Sequence, residues 1–399
     1  MDYDNRNNQL DALVRRIFFI EDTTYGTQEQ GFVVRYRGRL VSADSESAYD
    51  QISESTKSLG LTPLFRKEDG RHAILFVPQP PAPKPFNPKI NLIMFILTLF
   101  SVLFAGAVYS LREPLPANFF QAALAIFKSG WPFGVSLLAI LAAHEFGHYF
   151  MARHHGVNVS LPYFIPMPFF SFGTMGAFIN MKGMPKNKKH LLEIGLAGPL
   201  AGLAVTIPVL LLGLSLSKVE ALPTVIDPNM MVQVEGNSIL YLFMKYLVFG
   251  QLLPAPATYG NVPPVLYWLQ YIFTGTPSPL GGMDVMLHPV AWAGWAGLLV
   301  TALNLIPAGQ LDGGHAMYVL FGKERILKLW PVIMLILVGM GFLWTGWWLW
   351  AAMIFFMGRV YAEPLDQITE IDPKRRVLAI FALVLFFLIF IPIPLTLLS

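Results

Sequence analysis

"AILAAHEFGHYFMARHHG", residues 139–156, places four histidines, a glutamate and an arginine in a run that is otherwise lipid-soluble. His144-Glu145-Phe146-Gly147-His148 is an H-E-x-x-H array. On a helix, residues four apart stand one above the other, so both imidazoles can bind one cation. Glu145 is turned roughly 100° aside, where its carboxylate can shuttle a proton. This is the smallest kit for metal-assisted hydrolysis, in which the metal activates water and polarises the scissile carbonyl. The five residues alone also fit a buried His/Glu network or the proton relay of a transporter, because ionisable groups inside a membrane serve several ends.

The surroundings of this helix are membrane-like. Of 399 residues, 54% are hydrophobic and 13% charged, too apolar for a soluble protein of this length. Residues 1–89 carry 12 Lys+Arg and 12 Asp+Glu, leaving 16 and 13 for the other 310, so a soluble front module precedes a membrane body. The chain has no cysteine, so thiolate sites and disulfides are excluded and any metal must rest on His, Asp or Glu. A net charge of +3 with no basic patch argues against a nucleic-acid partner. The first residues lack the apolar core of a signal peptide, and the first spanning segment is expected to act as an uncleaved anchor.

The expected fold is a polytopic α-helical membrane protein plus a small N-terminal α+β soluble domain. It should hold about six to seven transmembrane helices and a re-entrant or hairpin element. Residues 1–77 form the soluble domain: two strands over 14–40, a helix over 43–59 stopped by Gly60, and two strands in "LTPLFRKED" and "RHAILFVP". Residues 78–89 read as a proline-rich linker, and 90–399 as the transmembrane body. Apolar runs long enough to span lie at 90–110, 131–152, 191–214, 288–307, 327–345 and 377–397, with a shorter one at 347–360. Basic clusters at Lys182–Lys189, Lys323–Lys328 and Lys374–Arg376 fall on the side of the N-terminus if the runs alternate, which places that terminus in the cytoplasm. "WTGWWLW", 344–350, fits an interfacial aromatic belt on the other side. Residues 161–180 are apolar but hold three prolines and two glycines, which suits a hairpin. No folded domain is readable in 215–286 beyond a surface helix near 236–250.

The two histidines need a third ligand. His154 stands ten residues after His144, as in zincins that turn the chain at a glycine, but Met151 occupies the turning position. A continuous helix carries His154 about three turns away; it and His155 suit the helix end before Gly156. "TALNLIPAGQLDGGHAM", 301–317, is the better source. Asp312 follows a spanning run broken by Pro307 and Gly309 and precedes Gly313-Gly314, a break that can aim the carboxylate at the imidazoles. Asn304, one turn before Pro307, can bond a substrate carbonyl or its oxyanion. The plainer alternatives are that Asp312 caps the following helix and Asn304 bonds a neighbouring one.

The H-E-F-G-H helix, a following "GLAGPLAGLA" at 195–204 and the late N-L-I-P-x-x-x-L-D-G-G-H together resemble the site-2 protease family of intramembrane zinc metalloproteases. The resemblance covers roughly 130–320. A small front module and proline linker are similar to its EGY-like bacterial and plastid branch. The resemblance implies Zn2+ on His144, His148 and Asp312, Glu145 as catalytic base, and Asn304 as a substrate or transition-state contact. It also implies a transmembrane protein substrate within the lipid bilayer of a bacterial inner membrane, or alternatively a plastid membrane. No PDZ module is recognisable between the core segments, and nothing in the sequence indicates the oligomeric state.

A spanning substrate must be unwound to be cut, and the 161–180 element could receive it as an added strand. Gly173, Thr174, Met175 and Gly176 are the candidate contacts there. Gly198 and Gly202 form a G-x-x-x-G suited to close helix packing. His148 lies five residues before Arg153, so the site should sit on the order of 7–14 Å below the cytoplasmic boundary. A divalent-metal or proton-coupled transporter is the rival expectation; it predicts metal flux that survives loss of Glu145.

Overall fold

The structure, a computed structural model, describes residues 3–68, 70–81, 86–111, 114–224, 232–357 and 361–398. The expected linker, 78–89, lies partly outside the described residues. The chain opens with helix α1 (Tyr3–Val14), strands β1 (Phe18–Tyr25) and β2 (Val34–Leu40), helix α2 (Ser45–Lys57), and strands β3 (Leu61–Glu68) and β4 (Arg71–Pro78). The four strands make one antiparallel sheet in the order β1-β2-β4-β3. Period-two patterning produces it: Val34 and Tyr36 on β2 and Leu61 and Phe65 on β3 point inward onto Ala48, Tyr49 and Ile52 of α2. Asp44 starts α2 by accepting a hydrogen bond from Ser47 N at 3.1 Å. The first strand begins later than residue 14, because α1 draws Leu10 and Val14 into the same core.

The body follows with α3 (Pro88–Ser110), α4 (Phe119–His154), a hairpin of β5 (Tyr163–Pro166) and β6 (Thr174–Phe178), and α5 (Lys188–Ser215). Next comes a segment with β7 (Lys218–Ala221), β8 (Val232–Glu235), α6 (Ile239–Phe249), α7 (Pro264–Thr274) and β9 (Met283–Met286). Helices α8 (Pro289–Asn304), α9 (Asp312–Phe321), α10 (Lys323–Met340), α11 (Gly346–Met357) and α12 (Pro373–Ile389) precede a last strand, β10 (Leu395–Leu398). Among the described residues α3, α4 and α5 are long and apolar enough to cross a membrane. Half of the most apolar part of α5 is buried against a third of that of α3, so α5 is the central helix. It packs on α4 and α8, and small residues let it: a Cβ on Gly147 of α4 would stand 2.4 Å from Ala197 O of α5. Exposed Leu97, Phe100, Phe150, Leu335 and Phe381 make the outer faces apolar.

Helix α4 starts at Phe119, a full twelve residues before the apolar run does, because Asn118 caps it through Phe120 N and Gln121 N and the helix tolerates Pro132. The last helix stops at Ile389, since Pro392 and Pro394 forbid its continuation. Beyond them β10 pairs with β8, and β7 pairs with β9. Among the described residues of 218–287, one two-stranded sheet closes within the segment through β7 and β9, and the other is completed from outside it by β10.

Candidate metal centre

Three elements converge. Helix α4 supplies His144, Glu145 and His148, all buried at 4, 6 and 8% exposure. Helix α5 supplies a floor of glycines: an added Cβ at Gly198 would lie 2.0 Å from His148 Nε2, and one at Gly202 would lie 3.2 Å from His144 Nδ1. The G-x-x-x-G thus seats the two imidazoles as well as packing helices. The break between α8 and α9, residues 305–311, aims Asp312, the first residue of α9. Gly309 takes φ +56°, and Gly313 and Gly314 bring α9 down on the broken turn, where Cβ atoms would stand 2.0 Å from Leu305 O and 2.3 Å from Gly309 O. Asp312 opens α9 without capping it; the cap position is Leu311, with no side-chain bond. Its carboxylate is free to face α4 and gains from the helix dipole.

The donor atoms form a nearly equilateral triangle. His144 Nε2 and His148 Nε2 stand 3.2 Å apart, and Asp312 Oδ2 stands 3.4 Å from each. Ligands about 2.1 Å from a tetrahedral centre stand about 3.4 Å from one another, so the triangle fits a zinc ion without rearrangement. His148 Nδ1 bonds Ile194 O of α5 at 2.7 Å, which fixes the ring's orientation and leaves Nε2 to point at the triangle. Among the described residues these are the three His, Asp or Glu side chains whose donor atoms gather closely enough to hold a metal. Glu145 is buried near the triangle and also meets the backbone N–H of Ile179, just past β6. Asn304, the last residue of α8, places its amide 3.2 Å from His144 Nε2, beside the triangle.

The hairpin is where the prolines and glycines place it. Gly173 takes φ +72° and lies so close to α3 that a Cβ would meet Ser101 O at 2.5 Å. Ser101 donates its hydroxyl to Gly173 O. Thr174 is buried and ties Ile165 O at 2.8 Å, while Met175 is exposed and Gly176 takes φ +105°. His154 is exposed at the end of α4 and remote from the triangle. His155 pairs with Glu193 at 2.7 Å; burial holds its imidazole below the ordinary value despite that carboxylate. His315 is buried against Gly195. Two contributors had no sequence signature: the Ile194 carbonyl and the Ile179 amide are backbone groups, which any residue type could present.

The chain matches the family model described as peptidase family M50 over residues 132–345. It is 31% identical over 320 residues to the probable chloroplastic zinc metalloprotease EGY1 of Oryza sativa subsp. japonica, covering 76% of this chain and 50% of that one. It is 28% identical over 402 residues to the probable chloroplastic zinc metalloprotease EGY2 of Arabidopsis thaliana, covering 96% of this chain and 65% of that one. The probable zinc metallopeptidase EGY3 of Arabidopsis thaliana is 27% identical over 244 residues, covering 60% and 38%. The chain thus spans about half to two thirds of the curated relatives it matches most extensively. No solved structure matches. These peptidase relatives give the transporter reading no support. With the family model matching more than half of its length, this chain belongs to peptidase family M50.

Proposed function

We propose that this protein is an intramembrane zinc endopeptidase that cuts spanning segments of membrane proteins. The convergence of His144, His148 and Asp312 beside Glu145, from helices more than 160 positions apart in the chain, carries the reading. Bound there, zinc would lower the pKa of water to around 7 and polarise the scissile carbonyl. Glu145 takes the proton from the attacking water as the carbon–oxygen bond forms and delivers it to the amide nitrogen as the carbon–nitrogen bond breaks. Asn304, adjacent to the triangle, bonds the carbonyl oxygen as its charge develops. The substrate segment lies extended along β6, with Gly173, Thr174, Met175 and Gly176 as its contacts; the unpaired edge of this two-stranded sheet and its position against α4 support that reading.

The membrane topology in this proposal has seven crossings: α3, α4, α5, α8 continued by α9, α10, α11 and α12. The alternation of these helices puts Lys186, Lys323 and Arg375 at one end, with the N-terminal sheet, which is the cytoplasmic end by the positive-inside rule. Residues 1–77, 78–89 and 90–399 then act as cytoplasmic domain, linker and protease body. The membrane is a bacterial inner membrane or, as for the chloroplastic relatives named above, a plastid one. The test is Glu145→Gln in the full chain, assayed on a membrane-anchored reporter with zinc measured in the same preparation. Lost cleavage with retained zinc is expected; undiminished cleavage would refute Glu145 as the proton carrier.

A further inference from the structure

The N-terminal sheet does not end at β3. Phe65 N donates to Leu365 O at 2.9 Å and Gln367 N donates to Phe65 O at 3.0 Å, so residues 365–367 extend the sheet by one parallel bridge. The other edge of that segment is also occupied: Leu365 N bonds Pro185 O at 3.0 Å and Asp366 N bonds Lys186 O at 2.7 Å. Asp366 is fully buried and accepts from Ile368 N at 2.8 Å, Thr369 N at 3.1 Å and the Thr369 hydroxyl, which fixes its turn. Arg66 bonds the carbonyls of Pro364 and Leu365. Two single-residue parallel bridges, Phe65 with Asp366 and Asp366 with Asn187, therefore tie the four-stranded sheet of the front domain to residues 185–187, which lead directly into α5.

Polar side chains lock the same junction. Asn187 is fully buried; its Oδ1 caps α5 through His190 N at 3.0 Å and its Nδ2 donates to Glu46 of α2 at 2.9 Å. Lys189 reaches Glu46 at 2.6 Å, and Lys186 reaches Asp50 at 2.7 Å. Seven residues along α5 from Asn187 is Ile194, whose carbonyl orients His148; four more lead to Gly198, the floor of that ring. Helices are stiff along their axis, so over about 16 Å the register set at Asn187 is the register felt at Gly198. A shift of a few tenths of an ångström matters there, because a metal ligand tolerates only about 0.2 Å.

We propose that Glu46, Asn187 and Asp366 are positioning residues for the metal centre, acting through α5, and that the front domain is a brace built into the catalytic unit. The inference rests on the reading of the triangle as the zinc site. Its test is metal binding by the purified full chain, measured by chelator competition with zinc and by the visible spectrum of the cobalt(II) form. The variants are Glu46→Ala, Glu46→Gln and Phe65→Pro, the last removing the N–H that bonds Leu365 O. Amide exchange at 365–367 reports whether the junction has opened. Glu46→Ala and Phe65→Pro should speed that exchange, weaken zinc binding about tenfold, on the scale of outer-shell partners of a ligand, and change the cobalt spectrum. In the cleavage assay kcat should fall while KM holds, and Glu46→Gln, which keeps the acceptor for Asn187, should recover most of the loss. Faster exchange with unchanged zinc affinity and spectrum overturns the proposal, and so does unchanged exchange in both variants. A wild-type chain that binds zinc in the triangle but cuts no membrane segment would sink the protease reading and leave this test intact.

Discussion

Gly198→Ala isolates the floor of the metal site from its ligands. The added Cβ would stand 2.0 Å from His148 Nε2, 2.3 Å from Cδ2 and 2.5 Å from Cε1, so it occupies the ring's own place. Relief to an ordinary contact of about 3.5 Å requires the ring to move about 1.5 Å. That is several times the roughly 0.2 Å a zinc ligand tolerates, so His148 ceases to be a ligand. Overpacking alone costs about 1–3 kcal/mol, which leaves most well-packed proteins folded. The neighbouring position supplies the control. At Gly202 the closest approach is 3.2 Å, to His144 Cβ and Nδ1, and a displacement of about 0.3 Å restores contact. Zinc stoichiometry and reporter cleavage, measured on detergent-purified protein whose monodispersity and melting are followed in parallel, read the difference. Gly198→Ala should lose both zinc and cleavage while remaining folded, and Gly202→Ala should keep a substantial part of each. A Gly198→Ala protein with full zinc content and wild-type cleavage would show that α5 does not form the floor of this site.

Asp312→Ala should release the metal, because two imidazoles alone do not close the triangle; an intact stoichiometry would return attention to His315. Gly173→Ala must hold a side chain at φ +72°, about 1–2 kcal/mol, and meets Ser101 O at 2.5 Å. It should displace the hairpin and lower cleavage while zinc stays bound, and loss of zinc would show that the hairpin and the triangle are not separable. The junction around Glu46 should be acid-sensitive. Burial alone would raise the Glu46 and Glu370 carboxyls, but Lys189 and Lys67 outweigh it and hold both below the ordinary carboxylate range. A depressed value in the folded state contributes stability above the unfolded value and loses it as the pH falls through the folded one, so amide exchange at 365–367 should accelerate below about pH 4. Asp366, raised by burial, contributes in the opposite sense: its share is full below its unfolded value and is lost as the pH rises through its higher folded value. Exchange that stays flat through that acid range would mean the ion pairs do not hold the junction.

The parts of the site that could be read in the sequence are those where one residue type has one physical reason to be present. His144 and His148 follow from helical period, the hairpin follows from prolines that forbid a helix, and Asp312 follows from a Pro/Gly break just ahead of a carboxylate. The strands β3 and β4 alternate clearly enough to be placed within a residue. Within 218–287 the helix expected near 236–250 is present as α6, but the described strands were not legible, because each is four residues long and β8 pairs with β10 across some 160 positions. A short strand has too few alternations to stand out from its neighbours. The aromatic stretch 344–350 carried no information about helix face: Trp347, expected in an interfacial belt, is fully buried and donates its indole N–H to Pro392 O at 2.6 Å. The junction through Asp366 was equally hidden, since single-residue parallel bridges impose no pattern on side chains.

That same junction has a consequence for biosynthesis. Arg66 and Leu365, whose backbone and side-chain bonds close the front sheet, are separated by 299 residues. At the roughly 5–20 residues per second of a working ribosome, the free side of the strand at Leu61–Glu68 stays uncovered for about 15–60 s while the chain up to Leu365 is made. An unprotected strand border is a template for pairing with the wrong chain. Neighbouring nascent chains on one polysome therefore present one another with identical open borders until residues 365–367 have been made and have paired with Phe65.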